Sequence, residues 1–158
     1  MSIYSTVDDF QVGKYSIYLQ SLGGYNPESI IIHDNKISDS IVFNPSNIDM
    51  IENYLKEPLS QYIVKKTEFY VVSEGYGNHV VHFVYSFKSV VLFDEQSLIC
   101  FNRNDFDIII MKIRKSLDQQ NKKFEEYVKK EYNDYKGDYF DWFCRIYKNG
   151  SDWKWKFG

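Results

Sequence analysis

Between Thr67 and Asn102 the sequence TEFYVVSEGYGNHVVHFVYSFKSVVLFDEQSLICFN places apolar, mostly β-branched or aromatic residues in four short runs with a period near two. Successive side chains of an extended strand point to opposite faces, so this period gives a strand one buried face and one open face. The runs are separated by turn chemistry. Glu74 to Asn78 contains two glycines that can adopt positive φ, and Asp94-Glu95-Gln96 splits the last pair of runs. Residues 67 to 102 are therefore expected to form a four-stranded antiparallel meander, which few folds other than a sheet with a covering layer can accommodate.

The rest of the chain supplies further strands and two helices. An extended segment with one apolar face runs from Tyr15 through Ile17 and Leu19 until Gly23-Gly24. In ESIIIHDNKISDSIVF, the tetrad His33 to Lys36 separates strands expected over Ser29 to His33 and Ile37 to Phe43. A short helix follows from about Ser46 to Lys56, capped by Ser46 or Asn47 and stopped or kinked by Pro58.

The longest apolar periodicity of 3.6 begins after Asn104, the expected cap, and passes through Phe106, Ile109, Ile110, Ile113, Leu117, Phe124 and Val128. About 30 residues of helix at ~1.5 Å each would span roughly 45 Å, more than a small domain's width. A break near Asp118 to Asn121 is expected. Downstream, Tyr139 to Tyr147 and Ser151 to Phe157 alternate on either side of Asn149-Gly150, a strong hairpin signal.

These elements predict a single α+β domain over residues 1 to 158: an antiparallel sheet of six to eight strands, packed against one long helix in the C-terminal half and a short helix, with a C-terminal β-hairpin. At 158 residues the chain suffices for one core. No internal repeat or linker is legible.

Composition narrows the function classes more than it selects one. Two cysteines, Cys100 and Cys144, sit apart in apolar surroundings, which suggests buried thiols and a reducing compartment. The first residues lack the basic flank and apolar run of a signal peptide, and no stretch approaches the ~18 apolar residues of a membrane helix. A cytoplasmic protein without membrane association is expected. Residues 1 to 62 carry eight acids against three bases, whereas the remainder carries 16 bases against 14 acids. Nucleic-acid binding normally requires a clustered basic face, so it is disfavoured, although Arg145, Lys154 and Lys156 define where it would occur.

Chemistry-bearing residues form no recognisable motif. His79 and His82 stand three apart on a strand, project to opposite faces, and cannot share a metal locally. Glu28, Asp34 and Lys36 resemble the carboxylate and lysine set of a metal-dependent nucleic-acid hydrolase, yet Asp34-Asn35 is also turn chemistry. No cofactor motif occurs.

What remains is an acidic front segment and a surplus of tyrosines, 14 in all. Together they suggest a non-catalytic factor that binds a larger, basic protein partner: a small acidic inhibitor or immunity-type protein that neutralises a protein such as a toxin or nuclease. Its expected contact residues are Asp34, Asp39, Glu74, Tyr76, Tyr132, Tyr135 and Tyr139. The terminal run DWKWKFG separates by parity into Trp153, Trp155 and Phe157 on one face and lysines on the other. Burial of that aromatic face predicts that Trp155→Ala lowers stability by roughly 3–5 kcal/mol, measurable by urea denaturation.

Overall fold

The computed structural model describes residues 4–24 and 26–134 and contains eight strands and two helices in that span. The first four strands are β1 (Ser5–Val12), β2 (Tyr15–Ser21), β3 (Ser29–Asp34) and β4 (Asp39–Phe43), followed by helix α1 (Pro45–Leu55). The next four are β5 (Val64–Val71), β6 (His79–Ser86), β7 (Ser89–Phe93) and β8 (Leu98–Asn102), followed by helix α2 (Arg103–Asp134). Each group of four is an antiparallel meander with its strands in sequence order. The α+β class and the meander over residues 67 to 102 are thus as expected, but there are two four-stranded sheets where one larger sheet was anticipated.

The physical reason is coverage. A helix is about 10–12 Å across and strands lie ~4.8 Å apart, so one helix shields about two strands of a sheet. Eight strands laid side by side would leave most of their apolar face open. Here the inward residues of both sheets, including Ile17, Leu19, Ile30, Ile32, Val81, Phe83, Leu92 and Ile99, join Ile48 and Ile51 of α1 and Phe106, Ile109 and Ile113 of α2 in one contiguous core. Four of its largest side chains, Phe43, Phe69, Phe83 and Phe106, are fully buried.

The element order also repeats, four strands and a helix twice over, although the sequence shows no repeat. Such repetition at the level of elements needs only matching patterns of burial, which many side chains satisfy.

The sheets meet through β4, which runs across one end of the second sheet. At its start the Asp39 carboxylate accepts the Leu98 N–H of β8 at 3.3 Å; farther along, the Val42 carbonyl meets His79 at the head of β6 at 2.8 Å. Just past its end, the Asn44 side chain engages the residue that follows β5. Asn44 Oδ1 accepts the Val72 N–H at 2.8 Å, and Asn44 Nδ2 donates to the Val72 carbonyl at 2.9 Å and to the Glu28 carbonyl at 3.1 Å. The side-chain amide therefore takes the donor and acceptor positions that a neighbouring backbone would occupy in a ladder.

Local signals explain the element ends. Gly13, at φ +55, turns β1 into β2, a strand pair that the sequence reading did not separate. Helix α1 starts one residue earlier than expected, at Pro45, and Asn44 is its cap residue in place of Ser46 or Asn47, with the Asn44 N–H donating to Asn47 Oδ1 at 2.8 Å. Helix α2 is capped by Asn102, whose Oδ1 accepts the Asp105 N–H at 2.8 Å, and not by Asn104. It then continues for 32 residues without the break expected near Asp118 to Asn121. Neither glycine nor proline occurs within it, and both common causes of a kink are therefore missing. The anticipated C-terminal hairpin, with Trp153, Trp155 and Phe157, lies outside the described residues.

Charged contacts lock the helices to the sheets. Arg114 of α2 donates to both Glu52 oxygens of α1 and to Asp49, and the Glu52 hydrogen bonds raise its pKa further above the ordinary guanidinium value. Arg103 donates to the Leu55 carbonyl at 2.7 Å, the Ser86 carbonyl at 2.9 Å and Asp107 at 3.1 Å, joining the end of α1 to the end of β6. Ser116 donates to Asp8 on β1. Among the described residues no helix is long and apolar enough to cross a membrane.

Replacing Asn44 tests the joint between the sheets. Asn44→Ala removes both contacts to Val72 and is expected to lower stability by about 1–3 kcal/mol, read as a shift in denaturant midpoint with the slope unchanged.

Candidate functional site

The open side of the second sheet and the crossing strand β4 enclose a crevice of about 540 Å³. Ser40 and Val42 form one wall from β4; Tyr70, Val80 and His82 form the other. Its ends are closed by Tyr76 to His79 and by the Asp94-Glu95-Gln96 turn. Both turns were legible as turns, but their convergence follows from β4 crossing the sheet.

Each wall is held by identifiable contacts. Ser73 Oγ accepts the Tyr76 N–H at 3.0 Å, and Asn78 Oδ1 accepts the Ser73 N–H at 3.0 Å, closing the turn between β5 and β6. The Tyr76 ring stacks on Tyr4 with centroids 5.3 Å apart, and its hydroxyl donates to Gln20 at 2.6 Å. Burial raises the Tyr76 pKa. Gly75 lies so close to Tyr4 that any β-carbon there would collide with the ring. In the opposite turn, Asp94 Oδ1 accepts the N–H groups of Gln96 and Ser97, each at 2.8 Å.

All three histidines of the chain lie in or beside this crevice. His79 and His82 both line it although, as expected, they have opposite parities on β6. His79 has the inward parity of β6, but at the strand's first residue its ring reaches past the sheet to the Val42 carbonyl, at 2.8 Å from Nε2. Its Nδ1 lies 2.8 Å from the Gly77 carbonyl. His82 stacks on Phe93 at 4.6 Å, with Nδ1 3.5 Å from Glu68. His33, on β3, meets the crevice residue Ser40 through Nδ1 at 2.6 Å. Among the described residues no group of three His, Cys, Asp or Glu side chains is arranged to hold a metal ion.

Beyond the crevice the outward face of the second sheet continues as two register rows. Glu68, His82, Phe93 and Leu98 form one; Lys66, Val84, Val91 and Cys100 form the other. Tyr70 pairs with Val80 at the crevice edge. Tyr70 is 64% exposed and Leu98 49%, so the face is both apolar and open. Cys100 is an exposed free thiol on it, not the buried hydrophobe expected; Cys144 lies outside the described residues.

The sequence-based contact residues are placed unevenly. Tyr76 lines the crevice, and Glu74 is exposed in the same turn. Asp39 is half-buried at the start of β4, engaged with the Leu98 N–H. Asp34 is buried: its carboxylate accepts the Lys36 and Ile37 N–H groups at 2.9 and 3.4 Å and pairs with Lys14 at 3.3 Å. These contacts shape the β3–β4 turn and present no free carboxylate. Tyr132 belongs to the last turn of α2, and Tyr135 and Tyr139 lie outside the described residues.

The hydrolase set is not assembled. Glu28 precedes β3 and Asp34 ends it, so the two are separated by about 20 Å of extended chain, far beyond what one ion can bridge. Arg145, Lys154 and Lys156 lie outside the described residues. The acid surplus of the front segment is also largely satisfied internally: Asp34 pairs with Lys14, Glu57 with Lys65, and Asp49 and Glu52 with Arg114. What sequence reading missed was the outward face of the second sheet, because alternation marks two faces without saying which neighbour covers either.

No family model, curated protein or solved structure matches the chain.

The pH dependence of the β3–β4 turn is a direct test of the Asp34 assignment. Burial alone pushes the Asp34 carboxyl up, but the Lys36 and Ile37 N–H groups and Lys14 outweigh it, and its pKa is lowered. A lowered native pKa contributes stability that is present above the unfolded value of about 3.9 and is lost as pH falls through the native value. Asp34→Asn is therefore expected to be less stable than the parent at pH 6, with the gap closing below about pH 4 in chemical denaturation.

Proposed function

We propose that the chain is a non-catalytic protein-binding factor whose contact surface is the open face of the second sheet together with the adjoining crevice. The observation that carries this reading is the exposure of Tyr70, Val80 and Leu98 beside the half-buried His82 and Phe93 on one continuous sheet face. Contiguous exposed apolar surface with a polar rim is typical of protein contact sites. Aromatic residues at its centre supply large contact area with few rotatable bonds to immobilise.

The partner is a basic protein, and the factor acts as a small inhibitor or immunity-type protein that neutralises it, in the manner expected for a toxin or nuclease target. Support for a basic partner rests on local chemistry: the crevice rim carries Asp94 and Glu95, and among the described residues no lysine or arginine lines it. The general acidity of the front segment supports it less, since most of those acids already have internal partners.

The test is affinity capture from the source cells, identification of the captured protein, and reconstitution of the complex from purified components. Tyr70→Asp and Leu98→Asp each place a charge on the open face without touching the core. Both are expected to weaken the reconstituted complex by at least about tenfold while leaving the denaturant midpoint unchanged. A complex indifferent to both substitutions would sink this reading.

A further inference from the structure

We infer that the crevice is a receptor subsite for an arginine side chain carried by an extended basic segment of the partner. This inference rests on the protein-binding reading and specifies what its crevice recognises. The crevice combines two properties that few surface hollows share. One wall is aromatic and apolar, from Tyr70, Val80 and His82, with Tyr76 at one end, and the turn at the other end brings the acidic residues Asp94 and Glu95 to the rim. Its volume, about 540 Å³, falls within the ~300–1,000 Å³ of ordinary ligand sites.

Asp94 uses Oδ1 for the Gln96 and Ser97 N–H groups, which fixes its carboxylate and leaves the second oxygen without a partner among the described residues. Glu95 is exposed and has no hydrogen bond or ion pair among them. Lys66, on the outward face of the sheet, lies over the Phe93 ring at 5.8 Å and is not part of the lining.

Arginine fits this chemistry better than lysine. Its guanidinium is planar and weakly hydrated, stacks on aromatic faces, and donates in a fork that suits carboxylate oxygens. Lysine's compact ammonium would give up more hydration on entering a hollow walled by tyrosines. The preference thus comes from the pairing of aromatic walls with acidic rim, neither of which alone distinguishes the two cations.

The test titrates the isotopically labelled 158-residue chain with N-acetyl-arginine amide, and in parallel with the lysine and citrulline amides, following backbone amide shifts. Citrulline keeps the shape and removes the charge. The expected result is a saturable response confined to residues near Asn78 to His82 and Asp94 to Gln96, about tenfold tighter for arginine than for citrulline and measurably tighter than for lysine. The double variant Asp94→Asn, Glu95→Gln retains an Oδ1 acceptor for the turn and should lose that preference; Tyr70→Ala should weaken it independently. Equal responses to arginine and citrulline, or shifts spread over every surface carboxylate, would overturn the inference. With the reconstituted partner, a complex abolished by Tyr70→Asp and Leu98→Asp but indifferent to the Asp94/Glu95 double variant overturns the arginine subsite while leaving the binding reading intact.

Discussion

The structure depends on how β4 meets the second sheet. No backbone ladder joins the two meanders. The joint is instead made by side chains: Asn44 presents an amide to both backbone groups of Val72, and His79 reaches the Val42 carbonyl. A ladder would have set the strands side by side and exposed their apolar faces. The crossing lets the two sheets and both helices close on one core, with Phe83 packed against Tyr54, Phe69, Tyr85 and Phe106 at its centre.

The same crossing produces the crevice. Because β4 passes the end of the second sheet, its outward residues Ser40 and Val42 face the outward residues of β5 and β6 across a gap. Two turns that are remote in sequence, around Tyr76 and around Asp94, close the ends. Structure and candidate site are therefore consequences of one geometric decision, and a perturbation at Asn44 or His79 should be felt by both.

Charge has a different place in the molecule from the one composition implies. Counting acids in the front segment suggests a long-range field, but Lys65 and Arg114, both beyond that segment, meet Glu57, Asp49 and Glu52 directly. In the reading proposed above, electrostatic recognition falls to the Asp94 and Glu95 carboxylates at the crevice rim. Attraction there acts over a few ångströms and discriminates chemical shape as well as sign.

Particular elements show what was legible in the chain alone. The period of two from Thr67 to Asn102 determined a four-stranded meander, and the apolar stripe from Phe106 to Ile113 determined which side of α2 is buried, because both follow from local geometry and hydrophobicity. The turn at Asp34 was legible too, though its carboxylate proved structural: a buried acid between Lys14 and two N–H groups looks, in sequence, like any acid before an asparagine. Only tertiary structure decided that there are two sheets, that Asn44 joins them, and that His79 and His82 border one crevice. Those outcomes depend on residues brought together across 28 to 59 positions of chain, and a local pattern carries no record of which distant surface it will meet.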